Sequence, residues 1–194
     1  MRCRLTKLAA VATLAISANI LSIYPAVAAN SSALEAGSTV LDPGEFIWQP
    51  ERSRTGDVSV VVSIPLQAVY VYRGGTLIGV STASTGRPGH DTPTGTFEIL
   101  QKRRDHKSNL YDDAPMPFMQ RLTWDGIALH GGTIPGYPAS HGCVRLPTAF
   151  ARHLFAATEL GASVHIVDSA PSPEEAQRIA LRGIGGGLEL ATAD

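Results

Sequence analysis

The clearest pattern of apolar and polar positions begins at Asp57. From there D-V-S-V-V-V-S-I sets Val58, Val60, Val62 and Ile64 along one side of an extended strand. Gln67 to Arg73 alternates again, with Val69 and Val71 opposed to Tyr70 and Tyr72. Gly74-Gly75 is a two-residue hairpin signal, and it predicts that Thr76 to Thr82 returns as the partner strand. Thr85 to Gly95, T-G-R-P-G-H-D-T-P-T-G, is too dense in turn residues for a helix. Thr96 to Lys102 reads as one further strand with Phe97 and Ile99 on a shared face. Phe118 to Trp124 and Ile127 to Leu129 read as short strands, the second running straight into His130. Between them, Arg103 to Pro117 is charged and poor in apolar residues, which predicts a long surface loop of the kind that forms lids and binding loops.

Helical spacing appears only after this. Phe150, Leu154 and Ala157 fall on one face of a helix over Pro147 to Leu160, with Pro147 at its first position and Gly161 as a stop. Ser163 to Val167 is a closing strand. Ser172-Pro173-Glu174-Glu175 then opens a short helix that ends in Gly183 to Gly187, and this tail is expected to be peripheral. The expected fold is mainly β, with one helix packed behind the segment that leads into it. Residues 57–168 form the domain and 169–194 the tail. Residues 30–56, rich in Ser, Gly and Pro, form a linker or arm whose Phe46-Ile47-Trp48 cluster can dock through Trp48.

Composition changes this picture in two places. The chain has 194 residues and 44% hydrophobic content, enough for one ordinary domain with a real core. Its 16 basic and 17 acidic residues leave a net charge of -1, with no electrostatic footprint for nucleic acid. The first thirty residues stand apart: Arg2, Arg4 and Lys7 precede an apolar run from Leu8 to Ile23, and Ala26-Val27-Ala28-Ala29 supplies small residues after it. That is the pattern of a secretory signal peptide over residues 1–29, and it predicts export to the periplasm or cell envelope. The run is too interrupted and short for a permanent membrane span.

Export gives the cysteines meaning. Of the two in the chain, Cys3 would leave with the signal, so Cys143 would be the lone thiol of an exported protein. A buried cysteine packs well as a small hydrophobe, but His141 and Gly142 are not the apolar company such a cysteine keeps. Ile127 to Pro147, I-A-L-H-G-G-T-I-P-G-Y-P-A-S-H-G-C-V-R-L-P, gathers His130, His141, Cys143 and Arg145 on a glycine-rich frame. A free thiol is only about 3% ionised at pH 7, and a nearby imidazole can make the thiolate the majority species. Residues two apart on a strand share a side, so His141, Cys143 and Arg145 can share a surface. Amide N–H groups around Gly142 and Cys143 can hold an oxyanion, and Arg145 suits a substrate carboxylate. Either histidine can be the base. His130 sits at a strand end, where a carbonyl near Gly131 can fix its tautomer.

H-G-G-T followed by S-H-G-C-V-R resembles the catalytic signature of the L,D-transpeptidases, the YkuD-like family of cell-wall enzymes. The similarity extends to T-P-T-G-T-F at Thr92 to Phe97, to Met116-Pro117-Phe118 and to G-I-A-L-H at Gly126 to His130, spanning about Val58 to Val167. It implies a transpeptidase-type β-sandwich, with Cys143 as nucleophile, His130 as its base and the Gly131 carbonyl as the orienting group. It further implies that Ser140, His141, Gly142 and Arg145 shape the substrate and oxyanion site, without a cofactor or metal. The implied donor is a peptidoglycan tetrapeptide stem, cleaved at the third-residue carbonyl with release of D-alanine. The acceptor is an amine of another stem, a D-amino acid or a wall-anchored protein, and carbapenem-type inhibitors are expected to acylate Cys143. The sequence departs from the family in having Gly-Gly-Thr after the histidine, where Gly-Thr is common, and a short interval to the cysteine.

Three other readings compete. His130, His141 and Cys143 would make only a three-ligand zinc site of irregular spacing. The same thioester handed to water would make an L,D-carboxypeptidase or hydrolase. A non-catalytic wall-binding module would need neither Cys143 nor His130. His90, His106, His153 and His165 have no evident partners in the sequence, and Arg87, Tyr111, Trp124 and Tyr137 are weak candidates for cleft residues.

Overall fold

A computed structural model describes residue 34, residues 41–108 and residues 113–185 of the chain. The segment read as a signal peptide, Cys3, Tyr111 and the end of the tail lie outside the described residues. The elements in chain order are β1 (Phe46–Trp48), a 3-10 turn (Pro50–Arg52), β2 (Val58–Ser63), β3 (Ala68–Arg73), β4 (Thr76–Thr82), β5 (Gly95–Glu98), β6 (Gln101–Arg103), β7 (Met119–Arg121), β8 (Ala128–Gly131), β9 (Val144–Leu146), α1 (Thr148–Ala157), β10 (Ser163–Val167) and α2 (Pro173–Gly185). They form a mostly β structure of two sheets, one ordered β1-β4-β3-β2-β10-β5 and the other β6-β7-β8-β9.

The hairpin predicted at Gly74-Gly75 joins β3 to β4, and both glycines take positive φ, +54° and +78°, as a tight two-residue turn requires. The strand expected over Thr96 to Lys102 is instead two. Ile99 N–H donates to Ala162 O in one sheet, and the next residue, Leu100, donates to Arg121 O in the other, so the chain changes sheets between them. The apolar alternation runs through the crossing and does not mark it. The strand expected over Phe118 to Trp124 shortens to Met119–Arg121, because Phe118 takes φ +57° and a turn forms from Thr123, whose Oγ1 accepts the Ile127 N–H.

The core lies between the sheets. Val60, Val62, Val69, Val71 and Ile78 of the large sheet meet Leu129, Val144 and Leu146 of the small one, and Phe150, Ala151 and Leu154 of α1 complete the cluster. Burying a side chain such as Leu154 stabilises by about 1.5–3 kcal/mol. On β1, Trp48 stacks on His153 and meets Phe150 edge-on, and Gly79 makes room for it: a Cβ there would fall 2.5 Å from the indole.

The tail helix is not peripheral. Val61, Tyr70, Tyr72 and Val80 occupy the outer face of the large sheet, and Ala176 and Ala180 of α2 cover them. Tyr72 donates its hydroxyl to Pro173 O at 2.7 Å, and Gln177 Nε2 donates to Gly75 O at 2.6 Å. The physical reason is the apolar area of that face, which would otherwise stand in water.

Candidate active site

The site grows from the parallel pairing of β8 and β9, in register Leu129 with Val144, His130 with Arg145 and Gly131 with Leu146. Parallel neighbours need a crossover of about a dozen residues, and the short loop after His130 supplies little more than that minimum. Strand alternation sends Leu129, Val144 and Leu146 into the core. His130 and Arg145 therefore project from the other face, and Cys143, just ahead of β9, packs there on Met116, Met119 and Ala128. The shared surface expected for Cys143 and Arg145 is present, with His130 beside them.

His130 is 7% exposed, and its Nδ1 lies 2.9 Å from Gly131 O. A carbonyl can only accept, so Nδ1 carries the proton and Nε2 keeps its lone pair, the tautomer a base needs. Burial lowers the His130 pKa from 6.5 to about 4; the Gly131 hydrogen bond opposes this, while Arg145 and His106 reinforce it. The Cys143 thiol donates to Gly126 O at 3.4 Å. Its pKa is raised by burial, against a hydrogen bond from the Ala128 backbone and the positive charges of Arg145 and Arg121. Burial moves the two pKa values in opposite directions, each towards its neutral form.

The turn that presents Cys143 is fixed by side chains. Ser140 Oγ donates to Cys143 O at 2.5 Å and accepts the Gly142 N–H at 3.1 Å. Gly142 has φ +109°, a conformation that favours glycine, and a Cβ there would stand 3.0 Å from Ile127 Cδ1. A segment from the large sheet runs alongside: Ser84 and Arg145 exchange both backbone hydrogen bonds, and Ser140 N–H donates to Thr85 O. Thr92, which the reading of residue types passed over, is 6% exposed and donates to Gly142 O at 2.8 Å. Only its place in T-P-T-G-T-F hinted at a role.

A cavity of about 630 Å³ opens over Cys143, His130 and Arg145, with Ser140, His141, Gly131 and Thr148 also on its walls. The charged loop read as a lid closes one side through Ser108 and Ala114 to Pro117. That stretch is held by the pairs Ser108 N–H to Ala114 O and Met116 N–H to His106 O, and Gly131 N–H donates to Pro117 O. A second cavity of about 310 Å³ shares Ser108, Met116, Asp125 and Gly126, and adds His106, Arg121 and the exposed Trp124. His141 also lines the main cavity; its ring meets His90 edge-on at 4.9 Å, and Arg87 reaches the far nitrogen of His90. Among the described residues, no three His, Cys, Asp or Glu side chains gather as a metal-binding group. His153 and His165 lie away from the cavity, His153 on Trp48 and His165 buried with Nδ1 3.0 Å from Thr96 Oγ1.

A family model described as the L,D-transpeptidase catalytic domain, YkuD, matches residues 57–166. The chain belongs to the YkuD family. Among curated relatives, L,D-transpeptidase 1 of Mycobacterium tuberculosis is 30% identical over 134 residues, covering 60% of this chain and 53% of the relative. The chain thus spans about half the length of the curated relative it matches. Two solved L,D-transpeptidase structures are also similar. L,D-transpeptidase LdtMt1 in complex with imipenem is 26% identical with a TM-score of 0.53, over 57% of this chain and 58% of that one. L,D-transpeptidase 3 of M. tuberculosis in complex with a faropenem-derived adduct is 25% identical with a TM-score of 0.54, over 58% of this chain and 60% of that one. The residues matched by the family model include His130, Cys143 and Arg145.

Proposed function

We propose that this protein is an exported peptidoglycan L,D-transpeptidase in which Cys143 attacks the third-residue carbonyl of a tetrapeptide stem. The observation that carries the reading is the common face of β8 and β9, with Cys143, a tautomer-fixed His130 and Arg145 under one cavity. As Sγ bonds to the carbonyl carbon, the thiol proton passes to His130 Nε2 and the carbonyl electron pair moves to oxygen. The oxyanion lies against the Cys143 backbone N–H, and Arg145 receives a substrate carboxylate. Collapse of the tetrahedral intermediate breaks the amide bond, and the imidazolium returns its proton to the departing D-alanine amine. With a pKa of about 4, His130 gives that proton up readily. The thioester on Cys143 then passes to an amine of a second stem, a D-amino acid or a wall-anchored protein, through the same steps in reverse.

The pattern of residues 1–29 supports export, which brings the enzyme to its polymer. The similar structures holding imipenem and a faropenem-derived adduct support a carbapenem-type inhibitor for this site. The test is intact-mass spectrometry with imipenem, followed by product analysis on tetrapeptide muropeptides. A single adduct on the parent and none on Cys143→Ala is expected, with released D-alanine and cross-linked or exchanged stems as products. The same adduct on Cys143→Ala, or free tripeptide stems as the sole product, would sink the transpeptidase reading; the second outcome would make the protein a carboxypeptidase.

A further inference from the structure

Gly142 lies between two peptide planes, and each is held by a different hydroxyl. The plane before it carries the Gly142 N–H, which Ser140 Oγ accepts at 3.1 Å. The plane after it carries Gly142 O and the Cys143 N–H. Thr92 Oγ1 donates to that carbonyl at 2.8 Å, and the same oxygen accepts the Gly86 N–H at 2.8 Å, which fixes the direction of the hydroxyl proton. In a trans peptide the C=O and N–H point opposite ways, so holding the oxygen towards Thr92 aims the Cys143 N–H away from it. Thr92 does not line the cavity, whereas Cys143 does. The locked N–H therefore points away from Thr92, and it belongs to a residue on the cavity wall.

We infer that Thr92 is a positioning residue for the oxyanion, acting through the Gly142–Cys143 peptide. A lock is needed there. Glycine at φ +109° has no Cβ to bias the following plane, and glycine tolerates the flipped orientation that L-residues resist. Thr92 is itself fixed from behind, since Gly86 packs so tightly on the His90–Thr92 turn that no Cβ would fit against the His90 carbonyl. The Thr92 hydroxyl, 50 residues from the carbonyl it holds, is thus anchored to the Gly86 backbone.

The inference rests on the acyl-transfer reading and is tested with two probes of the same thiol. Acylation by imipenem passes through an oxyanion; alkylation by iodoacetamide displaces iodide and forms none. Thr92→Val keeps the shape and removes the hydroxyl, and Thr92→Ser keeps the hydroxyl. Relative to the parent, Thr92→Val is expected to lose about 10- to 100-fold in imipenem acylation rate, less than the 10² to 10³ of losing a donor outright. Its alkylation rate is expected to stay within about twofold, and Thr92→Ser is expected to restore acylation. Parent-like acylation of Thr92→Val overturns the inference, as does a parallel loss of acylation and alkylation, which would mean a general disturbance of the thiol. Thr92→Ala carries the same comparison where the valine variant does not fold. A parent protein that imipenem never acylates overturns the acyl-transfer reading, and this inference with it.

Discussion

The neutral state of His130 has a measurable consequence for stability. In the unfolded chain the imidazole titrates near 6.5, and in the folded protein near 4, because burial disfavours the cation. Between those values the unfolded state binds a proton that the folded state does not. The stabilisation is therefore complete above about pH 6.5 and is lost as pH falls towards 4. Each pKa unit is worth about 1.4 kcal/mol, so the whole difference is about 3 kcal/mol, and about 2 kcal/mol of it disappears between pH 7 and pH 4.5. Other titrating groups, the buried His165 among them, follow the same protocol, so the comparison must be made against His130→Gln, in which they remain. Urea unfolding of both proteins at pH 7 and pH 4.5 gives the free energies, and the parent should lose about 2 kcal/mol more than the variant. Parallel losses would refute the argument. A parent that lost less than the variant would mean a protonated imidazole stabilised in the fold, a thiolate–imidazolium pair that burial disfavours.

Three further outcomes follow from the packing and the turn. Leu154→Ala, at a fully buried position of α1 in the inter-sheet core, should cost about 2–5 kcal/mol in urea unfolding with an unchanged denaturant slope. Gly142→Ala must hold an L-residue at φ +109° with its Cβ against Ile127, so it should lose about 1–3 kcal/mol of stability and more than tenfold in imipenem acylation, read by thermal shift and intact mass. Lys102→Met removes the ammonium that holds the carbonyls of Phe155 and Thr158 at the end of α1, at 2.8 and 2.6 Å, and should cost about 1 kcal/mol with little change in acylation.

How much of this was legible along the chain depends on how far apart the partners stand. The β3–β4 hairpin was readable because its two glycines and its alternation lie within a few residues. So was the common face of Cys143 and Arg145, a consequence of the two-residue strand period. The change of sheet at Ile99 and Leu100 was not, since both sheets offer a ladder and only the distant acceptors, Ala162 and Arg121, differ. The outer layer was missed for a related reason. Ser59 and Ser63 alternate with Val61 on β2, and the hydroxyls of Tyr70 and Tyr72 make β3 look half-solvated, yet all five are buried, the central ones under α2. Thr92 looked like one more turn residue because its acceptor, Gly142 O, lies 50 positions away.

The resting charge of Cys143 and His130 bears on how the site works. Cysteine, histidine and arginine close together suggest a thiolate held by cations, as they would be in water. At β8 and β9 the cost of burial outweighs that attraction for Cys143 and His130 alike. A site that does not store its charge in the nucleophile must meet the charge as it develops, with dipoles already in place before substrate arrives. That requirement accounts for the density of fixed groups around one turn: Ser140 on both sides of Gly142, Thr92 on its carbonyl, Thr85 on Ser140, and the Ser84–Arg145 backbone pair. On the proposed mechanism, loosening any of these should slow acylation without changing the thiol's affinity for protons. A variant in this frame that instead shifted the pH dependence of iodoacetamide alkylation would show that the frame tunes the nucleophile's charge, and the division of labour drawn here would be wrong.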